Sequence, residues 1–175
     1  MNPFTKLLRV LVGALFVGHG TQKLFGWFGG HGPEATGQFF EKLGLKPGKR
    51  NAVAAGAAEA GGGLLLAAGV ATPLAGAALS GTMISAIRHA HLEKGVWSTD
   101  GGYEYNLVLL GAVAAATAEE SGAGWALAQL VAGAAGSVAL TELAKRQTEP
   151  EQPPAEESAE PSWSPAAFEQ QRASA

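Results

Sequence analysis

Residues 7–25 read LLRVLVGALFVGHGTQKLF, an apolar run that Trp27 and Phe28 follow almost at once. The run has about the 20 residues that an α-helix needs to cross the hydrocarbon core of a bilayer. Aromatic rings directly after such a run are typical of the membrane–water interface. Lys6 and Arg9 lie near its start, but no small-x-small cleavage site follows it. We therefore interpret the run as an uncleaved first transmembrane helix.

Three more apolar runs follow, and they cover residues 51–70, 73–91 and 103–118. Alternation of apolar and polar residues with period two is nowhere sustained, so no β-strand is predicted. Small residues recur at a spacing of four along these runs, which lets transmembrane helices approach closely. The sequence therefore predicts an all-α fold, an integral membrane, up-down four-helix bundle that occupies residues 1–120.

Three segments lie outside these spans. Residues 29–50 connect the first two spans, and Pro33, two phenylalanines and Gly44 favour a short amphipathic helix on the membrane surface there. Residues 121–144 form an additional apolar helix, long enough for a fifth span but rich in Ala and Gly, which insert weakly. Residues 145–175 are rich in Pro, Glu, Gln and Ser, and this composition predicts a disordered tail.

The composition excludes several kinds of site. The chain has no cysteine, which excludes disulfides, thiolate catalysis, iron–sulfur clusters and thiolate zinc sites formed by this chain alone. Its formal net charge is −3 and it has no basic stripe with interleaved aromatic residues, so nucleic-acid binding is not expected. Redox chemistry at this protein would need a bound cofactor or a partner subunit to carry the electrons.

Polar residues within the spans gather at one depth. In an up-down bundle, His19 near the end of the first helix and Glu59 near the start of the second both lie about 10 Å below the same face. Gln22 and Lys23 share the helix face of His19. The third helix ends and the fourth begins on that side with further polar residues. The predicted ligand-binding residues are His19, Gln22, Lys23, Glu59, Arg88, His91, Tyr105 and Asn106.

Each of these residues also has a purely structural interpretation. A carboxylate near a helix centre costs about 2.5–3.5 kcal/mol to insert, so Glu59 needs protonation or a partner. A salt bridge to Lys23 or Arg88 would make Glu59 a clasp between helices, whereas a functional site would use it as a proton carrier or ligand-binding acid. Lys23 also has the length to reach the interface. No metal site is predicted, because the chain lacks a His-x-x-x-His or Glu-x-x-His pair.

The chain resembles the DoxX family of small bacterial membrane proteins over about residues 4–125. The matching pieces are LVGALFVGHGTQKLF at residues 11–25, FFEKLGL at 39–45, GAAEAGGGLLL at 56–66 and GGYEYNL at 101–107. The resemblance implies a four-helix, multi-pass protein of the bacterial cell membrane. Members are labelled oxidoreductases through kinship with a small subunit of thiosulfate:quinone oxidoreductase. The family's closing Gly-Pro-Gly-x-x-Ser-x-Asp motif is replaced here by GAGWALA at residues 122–128, so no role of its Pro, Ser or Asp carries over.

Three functions are compatible with these residues. The first is a membrane subunit or partner of a quinone-linked oxidoreductase system, with His19, Gln22, Lys23 and Glu59 around the quinone headgroup. In that hypothesis His19 and Lys23 donate to quinone oxygens, and Glu59 exchanges the accompanying proton. The second is a non-catalytic membrane scaffold that recruits soluble enzymes, and the third is a small proton-coupled transporter. No intrinsic cofactor is predicted, and the expected partners are the bilayer, a quinone and other oxidoreductase subunits.

The charge distribution predicts the orientation in the membrane. Basic residues on the side of the polar cluster are Lys23, Lys42, Lys46, Lys49, Arg50, Arg88 and Lys94. The positive-inside rule places this side in the cytoplasm, although Lys6 and Arg9 on the other side favour the reverse. A reporter of compartment fused after Arg50 is expected to give a cytoplasmic signal, and a periplasmic signal would contradict this orientation.

Overall fold

The computed structural model describes residues 2–148, apart from the side chains of residues 120–123, 144–145 and 147–148. The described chain is all-helical, which confirms the predicted fold class at that level. Its helices are α1 (Pro3–Phe25), α2 (Gly32–Lys42), α3 (Gly48–Ala68), α4 (Thr72–Ala86) and α5 (Glu104–Thr148). Short 3-10 turns cover Trp27–Gly29, Leu92–Lys94 and Ser98–Asp100, and a π-helical turn covers Ile87–His91.

Local sequence signals define both ends of α1. The Asn2 side chain accepts a hydrogen bond of 2.8 Å from the backbone N–H of Thr5, which satisfies an otherwise unpaired donor of the first turn. Pro3 occupies the first helical position, where its missing N–H has no cost. Gly26 ends the helix in the left-handed conformation, at a φ of 73°. The 23-residue helix therefore starts four residues before the predicted span at 7–25 and ends with it at Phe25.

Helices α1 and α3 pack in close antiparallel contact through glycines. A Cβ atom placed on Gly20 would lie 2.4 Å from the Ala60 nitrogen, and one on Gly13 would lie 2.5 Å from the Gly63 oxygen. Both distances are too short for a side chain, so the two backbones touch along this seam. Close backbone approach of this kind stabilises helix pairs through dispersion forces.

A hydrophobic core joins α1, α3, α4 and α5. Phe16 of α1 and Leu66 of α3 are fully buried there against Leu79 of α4 and Val113 of α5. Helix α2 lies outside this core and packs against the start of α3, where Lys49 pairs with Glu34. The hydrogen bond from the Lys49 ammonium lowers the pKa of the Glu34 carboxyl below its ordinary value.

The chain reverses direction within α5. Asn106, near its start, contacts Met83 of α4, whereas Thr141, near its end, contacts His89 of the adjoining π turn. A straight helix would separate positions 106 and 141 by roughly 50 Å, which these contacts do not allow. We name residues 104–119 the outgoing arm and residues 124–148 the returning arm. The outgoing arm runs antiparallel to α4, and the returning arm runs parallel to it.

The returning arm is the helical stretch whose length and hydropathy qualify it as a membrane span. Among the described residues, this test selects Gly124–Leu143 and no other segment. The predicted spans at 7–25, 51–70 and 73–91 overlap α1, α3 and α4. Charged residues lower the hydropathy of α1 and α3, α3 is also rich in Gly and Ala, and α4 has 15 residues. Helix α5 continues to Thr148, past the start of the predicted tail, and residues 149–175 of that tail lie outside the described residues.

The α1–α3 seam predicts a matched pair of variants. Gly20→Val places methyl groups against the α3 backbone, so it is expected to lower the free energy of unfolding by about 1–3 kcal/mol. Gly18→Val is the control, because a Cβ atom at Gly18 meets no atom within 4 Å. Denaturant titration of the purified protein in detergent measures both, and equal losses would contradict the seam.

Candidate functional site

The buried Lys23–Glu59 pair joins α1 to α3. Lys23 Nζ donates to Glu59 Oε2 over 2.5 Å. The Glu59 side chain is 4% exposed, and the Lys23 side chain is 24% exposed. The pair is formed because Gly20, one turn before Lys23, lets α1 approach the backbone of α3 beside Glu59. The ammonium therefore compensates a carboxylate that would otherwise be buried alone.

The pair lies at the wall of a cavity of about 660 Å³. This volume falls within the range of about 300–1,000 Å³ that small-molecule sites have. All five helices contribute to the wall, together with the π turn and the loop before α5. The cavity contains six of the eight predicted site residues in its wall, namely His19, Lys23, Glu59, His91, Tyr105 and Asn106.

His19 and Tyr105 form one edge of the cavity. The Tyr105 hydroxyl and His19 Nε2 share a hydrogen bond of 3.4 Å, and their rings meet edge to face with centroids 6.2 Å apart. Asn106 lies deeper, at 7% exposure, and its Nδ2 donates to the sulfur of Met83 over 3.5 Å. Thioether sulfur is a weak acceptor, so this amide is poorly satisfied and has capacity for a ligand.

His89 and His91, in the π turn, both line the cavity. On a regular α-helix, these two side chains would point in different directions. His91 Nδ1 donates to the Gly101 carbonyl oxygen over 2.7 Å. Because a carbonyl oxygen accepts and never donates, Nδ1 carries the hydrogen, and in neutral His91 Nε2 is an acceptor. The Thr141 hydroxyl donates to the Ser137 carbonyl, so it accepts from His89 Nε2 over 3.3 Å. The rings therefore carry these hydrogens on different nitrogens, Nδ1 in His91 and Nε2 in His89.

Two predicted site residues lie outside the cavity wall. The Gln22 side-chain amide donates to the Phe28 carbonyl oxygen over 3.3 Å, and so it supports the turn after α1. Arg88 Nη1 donates to the Ser137 hydroxyl over 3.1 Å and connects the π turn to the returning arm. Their ligand-binding roles remain predictions, and the geometry gives each of them a structural contact instead.

Several residues of the wall were not in the predicted set. Asn51, in the first turn of α3, has a buried Nδ2 atom without a hydrogen-bond partner in the described chain. Phe39 and Phe40 of α2, and Leu43 directly after it, also line the cavity, so the amphipathic helix that the sequence predicts covers part of it. In the sequence, Asn51 could have been recognised as a candidate because it is a polar residue directly after Lys49 and Arg50. The contribution of the returning arm had no comparable signal in the sequence.

Arg9 is a second buried charge, at the opposite end of the bundle. It is 1% exposed, and its Nε donates to the Ala116 carbonyl oxygen over 2.7 Å. Its position three residues before Val12 and seven before Phe16 puts it on the buried face of α1, a periodicity that could have identified it. In the described part of the chain, no group of three His, Asp or Glu side chains is placed to hold a metal ion.

The Lys23–Glu59 pair predicts a non-additive pair of substitutions. Lys23→Met leaves the buried Glu59 without its partner and is expected to cost about 3 kcal/mol of stability. Adding Glu59→Leu removes the uncompensated carboxylate and is expected to recover most of that loss. Lys49→Met is the control, because its pair with Glu34 is 65% exposed on both sides and is expected to contribute little to stability. Denaturant titrations of these three variants and the unmodified protein measure this, and a double variant no more stable than Lys23→Met would contradict it.

Comparison with known proteins identifies the family. The profile of the family described as DoxX matches residues 4–92, a shorter range than the sequence resemblance suggested. The matched range contains α1 to α4, the π turn and the Lys23–Glu59 pair, whereas α5 follows it. No match was found among the curated proteins or among the solved structures. Because the match covers just over half of the 175 residues, the chain belongs to the DoxX family.

Proposed function

We propose that this protein is a membrane subunit or partner of a quinone-linked oxidoreductase system in the bacterial cell membrane. The cavity binds the quinone headgroup beside Lys23 and Glu59. The observation that carries this proposal is the buried ion pair at the wall of a cavity whose other walls are largely apolar. Apolar pockets with a few convergent polar groups are the usual form of small-molecule sites.

The outer surface of the helices supports insertion into a bilayer. Leu7, Leu11 and Leu15 of α1 point away from the core and are 56%, 56% and 50% exposed. The other long helices also expose large apolar side chains: Val53, Leu64, Leu74, Leu107, Val108, Leu127, Val131 and Leu140. Helices that are apolar on their buried and outer faces are expected inside a membrane. Several of these helices can therefore lie in the bilayer although they are less hydrophobic than a helix that crosses it alone.

The donors along the cavity fit the acceptors of a quinone. Quinone carbonyl oxygens accept hydrogen bonds, and Lys23 Nζ, the Tyr105 hydroxyl and the unpartnered Asn51 Nδ2 are donors in the wall. A buried donor without a partner is costly, so a ligand oxygen at Asn51 would recover that free energy. The charges of Lys23 and Glu59 balance each other, which favours an uncharged ligand.

The residues of the site suit proton-coupled electron transfer. When bound, a quinone supplies the redox chemistry. Lys23 orients the ligand through its ammonium, and Glu59 holds or releases a proton at its carboxylate. The acceptor Nε2 of His91 gives a second position for a proton in the same wall. Because the chain has no cysteine and forms no thiolate or iron–sulfur centre, a partner subunit carries the electrons.

Binding of a tail-less benzoquinone tests the proposal. The double variant Lys23→Met/Glu59→Leu removes the charge-assisted donor without leaving an unpaired charge, and it is expected to bind roughly 10- to 100-fold more weakly. Lys49→Met, outside the cavity, is expected to bind as the unmodified protein does. Calorimetric titration of the detergent-purified proteins measures the affinities, with thermal unfolding as the control for folding.

Equal affinity in the double variant and the unmodified protein would contradict the headgroup site. Mass spectrometry of the gently extracted protein with its lipids and partners gives an independent test, because a bound quinone is expected in the extract. Extracts that contain soluble enzymes and no quinone would instead favour the scaffold function.

A further inference from the structure

The cavity is elongated along α4. Its wall includes Ala86 at the end of that helix and Ala77 more than two turns earlier. Nine residues of an α-helix span about 13 Å, so the cavity is longer than a single aromatic ring. A headgroup beside Lys23 and Glu59 would therefore fill part of the space and leave the rest for another group.

The side of the cavity formed by α4 and the returning arm has a wall of small side chains, which we name the small-residue wall. It consists of Ala77, Ala78, Gly81, Ala132, Gly133 and Gly136. None of these side chains has a polar group, so they offer a ligand dispersion contacts. Thr82 and Ser137 also line the cavity, but the Thr82 hydroxyl donates to the Leu79 carbonyl and the Ser137 hydroxyl accepts from Arg88. A Cβ atom at Gly136 meets no atom within 4 Å, so there is free space at this point of the wall.

Two polar contacts and one backbone contact fix the returning arm as part of this wall. Arg88 donates to Ser137 over 3.1 Å, and His89 donates to Thr141 over 3.3 Å. A Cβ atom on Gly133 would lie 2.7 Å from the Gly81 nitrogen, so the two helices touch there. The arm is thus held against both α4 and the π turn, so the width of the space beside it is fixed.

The cavity therefore has two sides of different character. Its polar side has His19, Lys23, Glu59 and Tyr105, from α1, α3 and α5, and its apolar side has the small-residue wall. We propose that it binds a single-chain amphiphile with an uncharged polar head, whose hydrocarbon chain lies along α4 against the small-residue wall. The position of the head rests on the proposed function, whereas the chain site rests on the wall itself. An isoprenoid quinone and a long-chain alcohol share this chemistry.

Three ligands and three variants test the chain site. The ligands are a tail-less benzoquinone, the same ring with a decyl chain, and a long-chain alcohol. The unmodified protein is expected to bind the decyl compound more than about 10-fold more tightly than the tail-less ring, because the chain buries additional apolar surface. Gly136→Leu fills the free space and is expected to abolish this gain, so that the decyl compound binds no more tightly than the tail-less ring.

Gly111→Leu is the matched control. A Cβ atom at Gly111 also meets no atom within 4 Å, but Gly111 does not line the cavity, so both affinities are expected to stay unchanged. Leu is a better helix former than Gly, so both variants are expected to fold. Ala78→Leu, on the α4 side of the wall, is a second variant that is expected to reproduce the loss seen in Gly136→Leu.

The results separate this inference from the proposed function. A tail-less ring that binds as tightly as the decyl compound would overturn the chain site and leave the headgroup site intact. A decyl gain that persists in both Gly136→Leu and Ala78→Leu would also overturn it. Binding of the long-chain alcohol that is lost in Gly136→Leu, with no binding of either quinone, would support the chain site and overturn the quinone headgroup.

Discussion

The carboxylate of Glu59 is buried, and this burial constrains how the helices pack. It needs the Lys23 ammonium within hydrogen-bonding distance, so α1 and α3 have one register in which the pair forms. The glycine contact between Gly20 and Ala60 brings the backbones close enough for that register. A shift of one helical turn along this seam would both separate the charges and force side chains into the opposite backbone.

The cavity wall combines two parts of the chain. Its ion pair and His91 come from the segment that matches the DoxX family. Half of the small-residue wall belongs to the returning arm, beyond that segment. Packing of α5 against α4 therefore completes a cavity whose ion pair lies elsewhere in the chain.

Much of the polar cluster could be predicted from the sequence, because a charge in hydrocarbon needs a partner and antiparallel helices fix which residues share a depth. That reasoning included Lys23 among the partners of Glu59. It could not predict the side-chain directions of Gln22 and Arg88, which depend on the turn after α1 and on the π turn. The all-helical class followed from periodicity, and the end of the fourth predicted span at residue 118 indicated a break before the additional apolar helix at 121–144. The sequence left open whether that helix is a fifth span.

The direction of the returning arm determines where the last residues of the chain start. Because this arm runs parallel to α4, Thr141 lies beside His89, in the π turn that follows α4. The segment that follows Thr148, rich in Pro and Glu, therefore starts on the side that carries most of the lysines. Any protein bound to that segment is tethered near the site, and its local concentration there is high whatever its intrinsic affinity for the helices.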